Sequence, residues 1–196
     1  MTSGRSAGVL VLLAGLVGCG GSGAETEPDA AVGEAPAPAV SAPAAALDDA
    51  DIAAIVVVAN TIDVRTGELA RERATDERVR QFAETMITDH TAVNRSAQEL
   101  VTRLGVTPTE NEVSRSLQES AEQTHASLAS QSGAAFDRAY MAHEVSYHEA
   151  VLSALDETLI PNATNEELRQ TLTGVRPAFQ AHLDHARTLL RQLGGS

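Results

Sequence analysis

From about residue 48 onward the apolar positions of this chain recur with a helical period, and no stretch alternates in the way a strand would. Val79, Phe82, Ala83, Met86, Ile87, Val93, Ala97, Leu100 and Leu104 form one stripe, which predicts a helix over roughly 76–104 that stops at Gly105. Before it, Val56, Ala59, Gly67 and Ala70 share a face of a helix that opens at Asp48, a good N-cap, with Asp51 in the favourable first turn. A thinner stripe of Val113, Leu117, Ala121 and Leu128 predicts a weaker helix from about 110 to 130. Met141, Val145, Leu152, Leu155 and Leu159 define a fourth from about 134 to 159, stopped by Pro161. Leu168, Leu172, Val175, Phe179, Ala186, Leu189 and Leu193 define the last, with Pro177 placed to kink or split it.

The expected start signals are Thr75 for the second helix, Thr107 with Pro108 and Glu110 for the third, and the Thr164–Glu167 capping box for the last. Four long striped helices and one weak one make an all-α protein. The simplest arrangement is a four-helix bundle with an extra helix in the long connection between helices 2 and 3.

Aromatic residues make up only 3% of the 196 residues and Trp is absent, so the core is built from Ala, Leu, Val and Ile, which suits close-packed helices. The formal net charge is −13 and all 14 basic residues are Arg. So acidic a surface argues against nucleic acid or anionic headgroups as partners.

The N-terminus accounts for the single cysteine. Arg5 precedes the apolar run "AGVLVLLAGLVG", which has signal-peptide length, and "LVGC" (Leu16 to Cys19) resembles a bacterial lipobox. Residues 1–18 are then a lipoprotein signal peptide, and Cys19 is the lipidation site and membrane anchor. Residues 19–46, rich in Gly, Ala and Pro, form an acidic tether, and residues 47–196 form the helical domain. Gly20, rather than aspartate, follows the cysteine, which favours the outer membrane.

The buried stripes carry polar residues. His90 lies inside the second stripe, His148 fills the gap in the fourth, and His182 fills the gap in the last. Asp63 falls between the small residues of the first. Counting from Thr75, Asp63 is 12 residues back and His90 is 15 forward, a depth mismatch of about 4–5 Å at the helical rise. Counted from Pro161, His148 is 13 back and His182 is 21 forward. That mismatch, about 12 Å, is a poorer fit.

Three imidazoles and a carboxylate are the donor types of a zinc, iron, copper or manganese site, so one transition-metal ion held by Asp63, His90, His148 and His182 is the leading reading. Asp89 and Glu144 are the supporting acids, Asp89 as an acceptor that orients an imidazole. The competing reading is a metal-free network in which the histidines hydrogen-bond one another, Tyr140, Tyr147 or a trapped water. His125, His143 and His185 read as surface residues, and Asp137 as a first-turn acid of its own helix.

The segments "IDVRTGELA", "VRQFAETMITDHTAVN", "FDRAYMAHEVSYHEAVL" and "RPAFQAHLDHARTLL" resemble the bacterial domain of unknown function 4142 over about Asp51 to Leu193. The matching motifs are Asp89 with His90, Asp137, Tyr140 and His148, and His182 with Leu183. The resemblance implies an outer-membrane or periplasmic protein with a ferritin-like bundle. Where the family usually has glutamate, this chain has Asp63. Ferritin-like di-iron sites use Glu-x-x-His pairs, but Ile87 and Val145 stand three residues before His90 and His148, so a single-metal site is the better variant.

The reading is an envelope-anchored lipoprotein with a metal-handling or stress role. The alternative is an envelope scaffold or interaction module whose partner is another envelope protein. No nucleophile elbow or phosphate loop favours an enzyme. Replacement of the anchor residue, Cys19→Ser, is expected to leave an unlipidated precursor. Continued labelling of that variant by a lipid precursor would defeat the lipobox reading.

Overall fold

Asp48 starts the first helix by accepting hydrogen bonds from the Ala50 and Asp51 amides, while the Asp51 carboxylate returns to the Asp48 amide. The computed structural model describes residues 47–194. The signal peptide, Cys19 and the tether lie outside the described residues. The chain runs α1 (Asp49–Arg73), α2 (Glu77–Leu104), α3 (Glu112–Ala129), α4 (Gly133–Ala154), a π turn (Leu155–Leu159), a single turn α5 (Ile160–Asn162) and α6 (Glu166–Gly194). Helices α1, α2, α4 with its extension, and α6 form a ferritin-like four-helix bundle, with α3 in the connection between α2 and α4. No strand occurs among the described residues, and none of their helices is long and apolar enough to cross a membrane.

Small residues set the spacing of the first hairpin. A Cβ at Gly67 would lie 3.1 Å from Ile87 Cγ1 and 3.2 Å from the Ala83 carbonyl oxygen, so α1 and α2 approach as closely as they do because position 67 has no side chain. Two apolar clusters fill the bundle. One gathers Phe82, Met86, Phe136, Tyr140 and Leu189 toward the α1–α2 turn. The other gathers Ile52, Leu100, Leu155, Leu172 and Phe179 toward the α4–α6 turn. Apart from Asp137, the buried polar residues of the bundle helices fall between the two.

The helix starts differ from the sequence expectation because the threonines are used elsewhere. Asp76, not Thr75, caps α2. Thr75 offers its amide and hydroxyl to Asp137 at 2.9 and 2.6 Å, and the Asp76 amide joins them at 3.0 Å. Asp137 is therefore a buried clamp on the α1–α2 turn rather than a first-turn acid. Asp49 does the same at the other end. It accepts from the Thr164 amide and hydroxyl at 2.8 and 2.6 Å and from the Asn165 amide at 3.0 Å, leaving Asn165 to cap α6. The two turns share the pattern Ala-Thr-Asx-Glu, at Ala74–Glu77 and Ala163–Glu166. Arg80 returns to the Ala74 carbonyl as Arg169 does to the Ala163 carbonyl.

Three further boundaries shift. Asn111 with Ser114, not Thr107, caps α3, and the Asn111 amide also holds the Asp51 carbonyl. The fourth helical stretch runs past Pro161, because the Ile160 N–H reaches back to the Leu155 carbonyl and this wider turn carries the chain over a residue with no N–H to offer. Pro177 does not split α6, whose buried Leu172 and Phe179 hold the helix to the core on both sides of it.

Asp137→Ala removes three hydrogen bonds from a turn that no local residue replaces. It is expected to cost about 1–3 kcal/mol in urea unfolding. Asp49→Ala, at a more exposed turn, is expected to cost less, and the two losses are expected to add in the double variant, since the sites lie at opposite ends.

Candidate metal centre

The polar layer between the two clusters contains Asp63 from α1, His90 from α2, Glu144 and His148 from α4 and His182 from α6, all buried. Each comes from an apolar stripe whose neighbours carry it inward, and the tight α1–α2 contact sets Asp63 Oδ2 3.4 Å from His90 Nε2. The same oxygen is 3.8 Å from His148 Nε2. One ring nitrogen from each of His90, His148 and His182 lies within 4.8 Å of the others, and a second set of ligand atoms from Asp63, Glu144 and His148 meets the same limit. The expected 12 Å offset between His148 and His182 does not occur; their ring centroids are 5.4 Å apart. The helical stretch reaches Asn162 and α6 starts only at Glu166, so the two histidines stand nearly level about the turn.

The partners of the imidazoles fix where their protons lie. Asn60 donates its amide to the Val56 carbonyl at 2.7 Å, which turns its oxygen toward His90 Nδ1, also at 2.7 Å. His148 Nδ1 donates to the Glu144 carbonyl at 3.0 Å, and His182 Nε2 donates to Asp89 at 2.9 Å. Each ring therefore spends its one N–H on an outer acceptor. What remains is His90 Nε2, His148 Nε2 and His182 Nδ1, three lone pairs without a hydrogen-bond partner, together with both oxygens of Asp63 and of Glu144. Ionised, these acceptors would face one another with only the buried Tyr140 hydroxyl, beside Glu144, as a donor, which is costly. Either of the two ligand sets could hold a cation. The Asp63 separations of 3.4 and 3.8 Å lie near the edge of a tetrahedron with metal–ligand arms of about 2.1 Å, which is about 3.4 Å.

Asp89 reaches His182 on the facing helix, and Glu144 lies one turn before His148, its carboxylate 3.5 Å from His148 Nδ1. Asn60 is the participant that sequence reasoning missed. Its signal was a second polar residue on the α1 stripe, three positions before Asp63 and so on the same face. Of the histidines expected at the surface, His185 is exposed and His125 half-buried. His143 is half-buried against Tyr147, with ring centroids 5.4 Å apart, and burial lowers its pKa to about 4.

Burial sets the charges of the metal-free layer. It raises the Asp63 pKa to about 8 and pushes Glu144 well up, helped by the charge of Asp63. It lowers His90 to about 2 and His148 to about 4, with the neighbouring imidazoles adding to the effect. The His–Asp contacts are accordingly between neutral groups, not ion pairs.

The linkage follows in sign. Between about pH 4 and 8 the folded protein keeps a proton on Asp63 that the unfolded chain has lost, so this residue's contribution falls as pH rises through that window. His90 and His148 act oppositely, since the unfolded chain takes up protons below its ordinary value of 6.5 and stability is lost as pH falls. Above pH 6.5 the acids act alone. Metal-stripped Asp63→Asn is expected to exceed the metal-stripped parent in stability at pH 8 by at least about 1.4 kcal/mol, the value of a single pKa unit. The gap should close toward pH 5. Equal stability at pH 8 in chemical denaturation would contradict a desolvated carboxylate at this position.

The architecture is similar to the crystal structure of a candidate secreted protein, DUF305, from Streptomyces coelicolor. The TM-score is 0.63 over 74% of this chain and 94% of that one, at 14% sequence identity, so the likeness is one of fold. No curated protein matches the chain. The model of the family described as Domain of unknown function (DUF4142) matches residues 34–189, and the chain belongs to that family.

Proposed function

We propose that this protein binds one divalent transition-metal ion in the core of its bundle, through Asp63, His90, His148 and His182. The observation that carries the reading is a pair of buried ligand sets that share His148, one of His90, His148 and His182 and one of Asp63, Glu144 and His148, with Asp63 Oδ2 3.4 Å from His90 Nε2 and each ring held by an outer acceptor. Outer acceptors of this kind are what metal-bound histidines use to fix their tautomer and raise their basicity. Charge supports a divalent ion. Asp63 and Glu144 together bring two negative charges when ionised, the imidazoles bring none, and one doubly charged cation balances the layer. A bound ion supplies the positive charge that lets both carboxylates ionise in a dry interior. Asn60 and Asp89 orient His90 and His182, and the surrounding apolar clusters exclude water.

Such a site holds its ion with four buried protein donors, which fits a metal-handling or stress-protection role better than turnover. The lipobox ending at Cys19 supports an envelope location, with the protein anchored to the outer membrane by its lipidated cysteine and the bundle in the periplasm.

Elemental analysis of protein purified without a His tag is expected to find close to one metal per chain. Both His90→Ala and Asp63→Ala should lose it while keeping their helical circular dichroism. Asn60→Leu, which keeps every donor but removes the His90 acceptor, should weaken affinity by about 10–100-fold. Absence of metal after challenge with zinc, iron, copper and manganese would replace this reading with the metal-free network.

A further inference from the structure

A cavity of about 360 Å³ lies beside the polar layer, walled by α1, α2, α3, α4, the π turn and α6. Its surface is almost wholly apolar, with Ile55, Val93, Leu117, Val151, Leu155 and Phe179 among the wall residues. Volumes of about 300–1,000 Å³ are those of small-molecule sites, and an apolar void of only about 150 Å³ stays dry and takes up benzene.

The inner polar groups of the wall offer a guest nothing. Asn60 spends its amide on Val56 and its oxygen on His90, Tyr147 donates its hydroxyl to the Ala59 carbonyl at 2.8 Å, and the free nitrogen of His90 faces Asp63. A ligand carrying a buried polar atom would leave that atom unpaired.

The rim selects against anions. Val113, 45% exposed, is the only exposed large hydrophobic among the described residues, and it lines the cavity with the half-buried Leu47. The exposed charges next to the lining residues in the chain are Asp48, Glu112, Glu149, Asp156 and Glu157, all acidic; of the nearby arginines, Arg115, Arg176 and Arg187 pair with Glu110, Asp156 and Glu149.

The wall is also built to open. Helix α3 buries only Ser114 and Leu128 fully. It is tied by Asn111 to Asp51, by Glu122 to Arg65 at 2.7 Å and by Arg73 to the Ala129 carbonyl, and Val113 and Leu117, which cover the cavity, lie between the first two ties. Opposite them stands the π turn, a local widening that recurs at ligand sites.

We infer that this cavity binds one uncharged hydrophobic small molecule with a linear or branched hydrocarbon body, entering beneath α3. Of the proposed metal donors only His90 lines the cavity, and Asp63, His148 and His182 do not.

Fluorescence titration of the full chain with N-phenyl-1-naphthylamine, a neutral apolar probe, tests it. Saturable binding at one site per chain is expected, displaced by 1-dodecanol and not by dodecanoate. Ala154→Phe fills the cavity and should weaken the probe by at least about tenfold without lowering the melting temperature. Ala150→Leu, entered from the solvent side, provides the same test if Ala154→Phe does not fold. Asp63→Asn, which removes a proposed metal donor, should leave probe affinity within about twofold, so failure of the metal reading and failure of this one are distinguishable. Non-saturable binding, or binding that both cavity variants leave unchanged, would overturn the assignment. Equal displacement by dodecanoate would overturn the selection for uncharged guests.

Discussion

A buried carboxyl and three buried imidazoles, whose inward nitrogens have no hydrogen-bond partner, are the constraint that the rest of this bundle accommodates. Each imidazole gives its proton outward, to Asn60, to a backbone carbonyl of its own helix, or to Asp89. The inward side is left rich in electron pairs. Such a layer is stable only with an occupant or with protons retained at unusual pH, and burial raises Asp63 for that reason. The apolar clusters above and below supply the burial that offsets the cost. The missing side chain at Gly67 supplies the proximity, since a wider α1–α2 spacing would carry Asp63 away from His90.

Much of this was legible in the sequence because helical periodicity is strict. A histidine in the gap of a heptad stripe must face inward, and the residues so identified in α2, α4 and α6 share one layer with Asp63. Depth along the axis was legible only where the turn was short. Three residues separate α1 from α2, and the Asp63–His90 level agreed. The α4–α6 turn was misjudged because Pro161 was read as a stop, and with it the level of His148 against His182.

What could not be read locally was competition for side chains. Thr75 and Thr164 look like caps, but aspartates 62 and 115 residues away in sequence claim them, and the next Asx residue caps instead. Asn60 was hidden for a related reason. In an interior helical position asparagine reads as a mild disadvantage unless its partner on another helix is known.

The reciprocal turn clamps carry a consequence beyond stability. Asp137 of the second hairpin closes the turn of the first, and Asp49 of the first closes the turn of the second, at turns that share the pattern Ala-Thr-Asx-Glu. Such reciprocity has the form of the isologous contact in a two-fold homodimer, in which each partner offers the same patch to the other, here between two hairpins of one polypeptide. On that view the long crossover containing α3 is a leash, keeping two mutually complementary halves at high effective concentration. The polar layer breaks the symmetry that the turns keep. Helix by helix the two hairpins contribute different groups to the layer, Asn60, Asp63 and His90 from one and Glu144, His148 and His182 from the other. The chain thus gains from being a single molecule an asymmetric layer that two identical halves could not build.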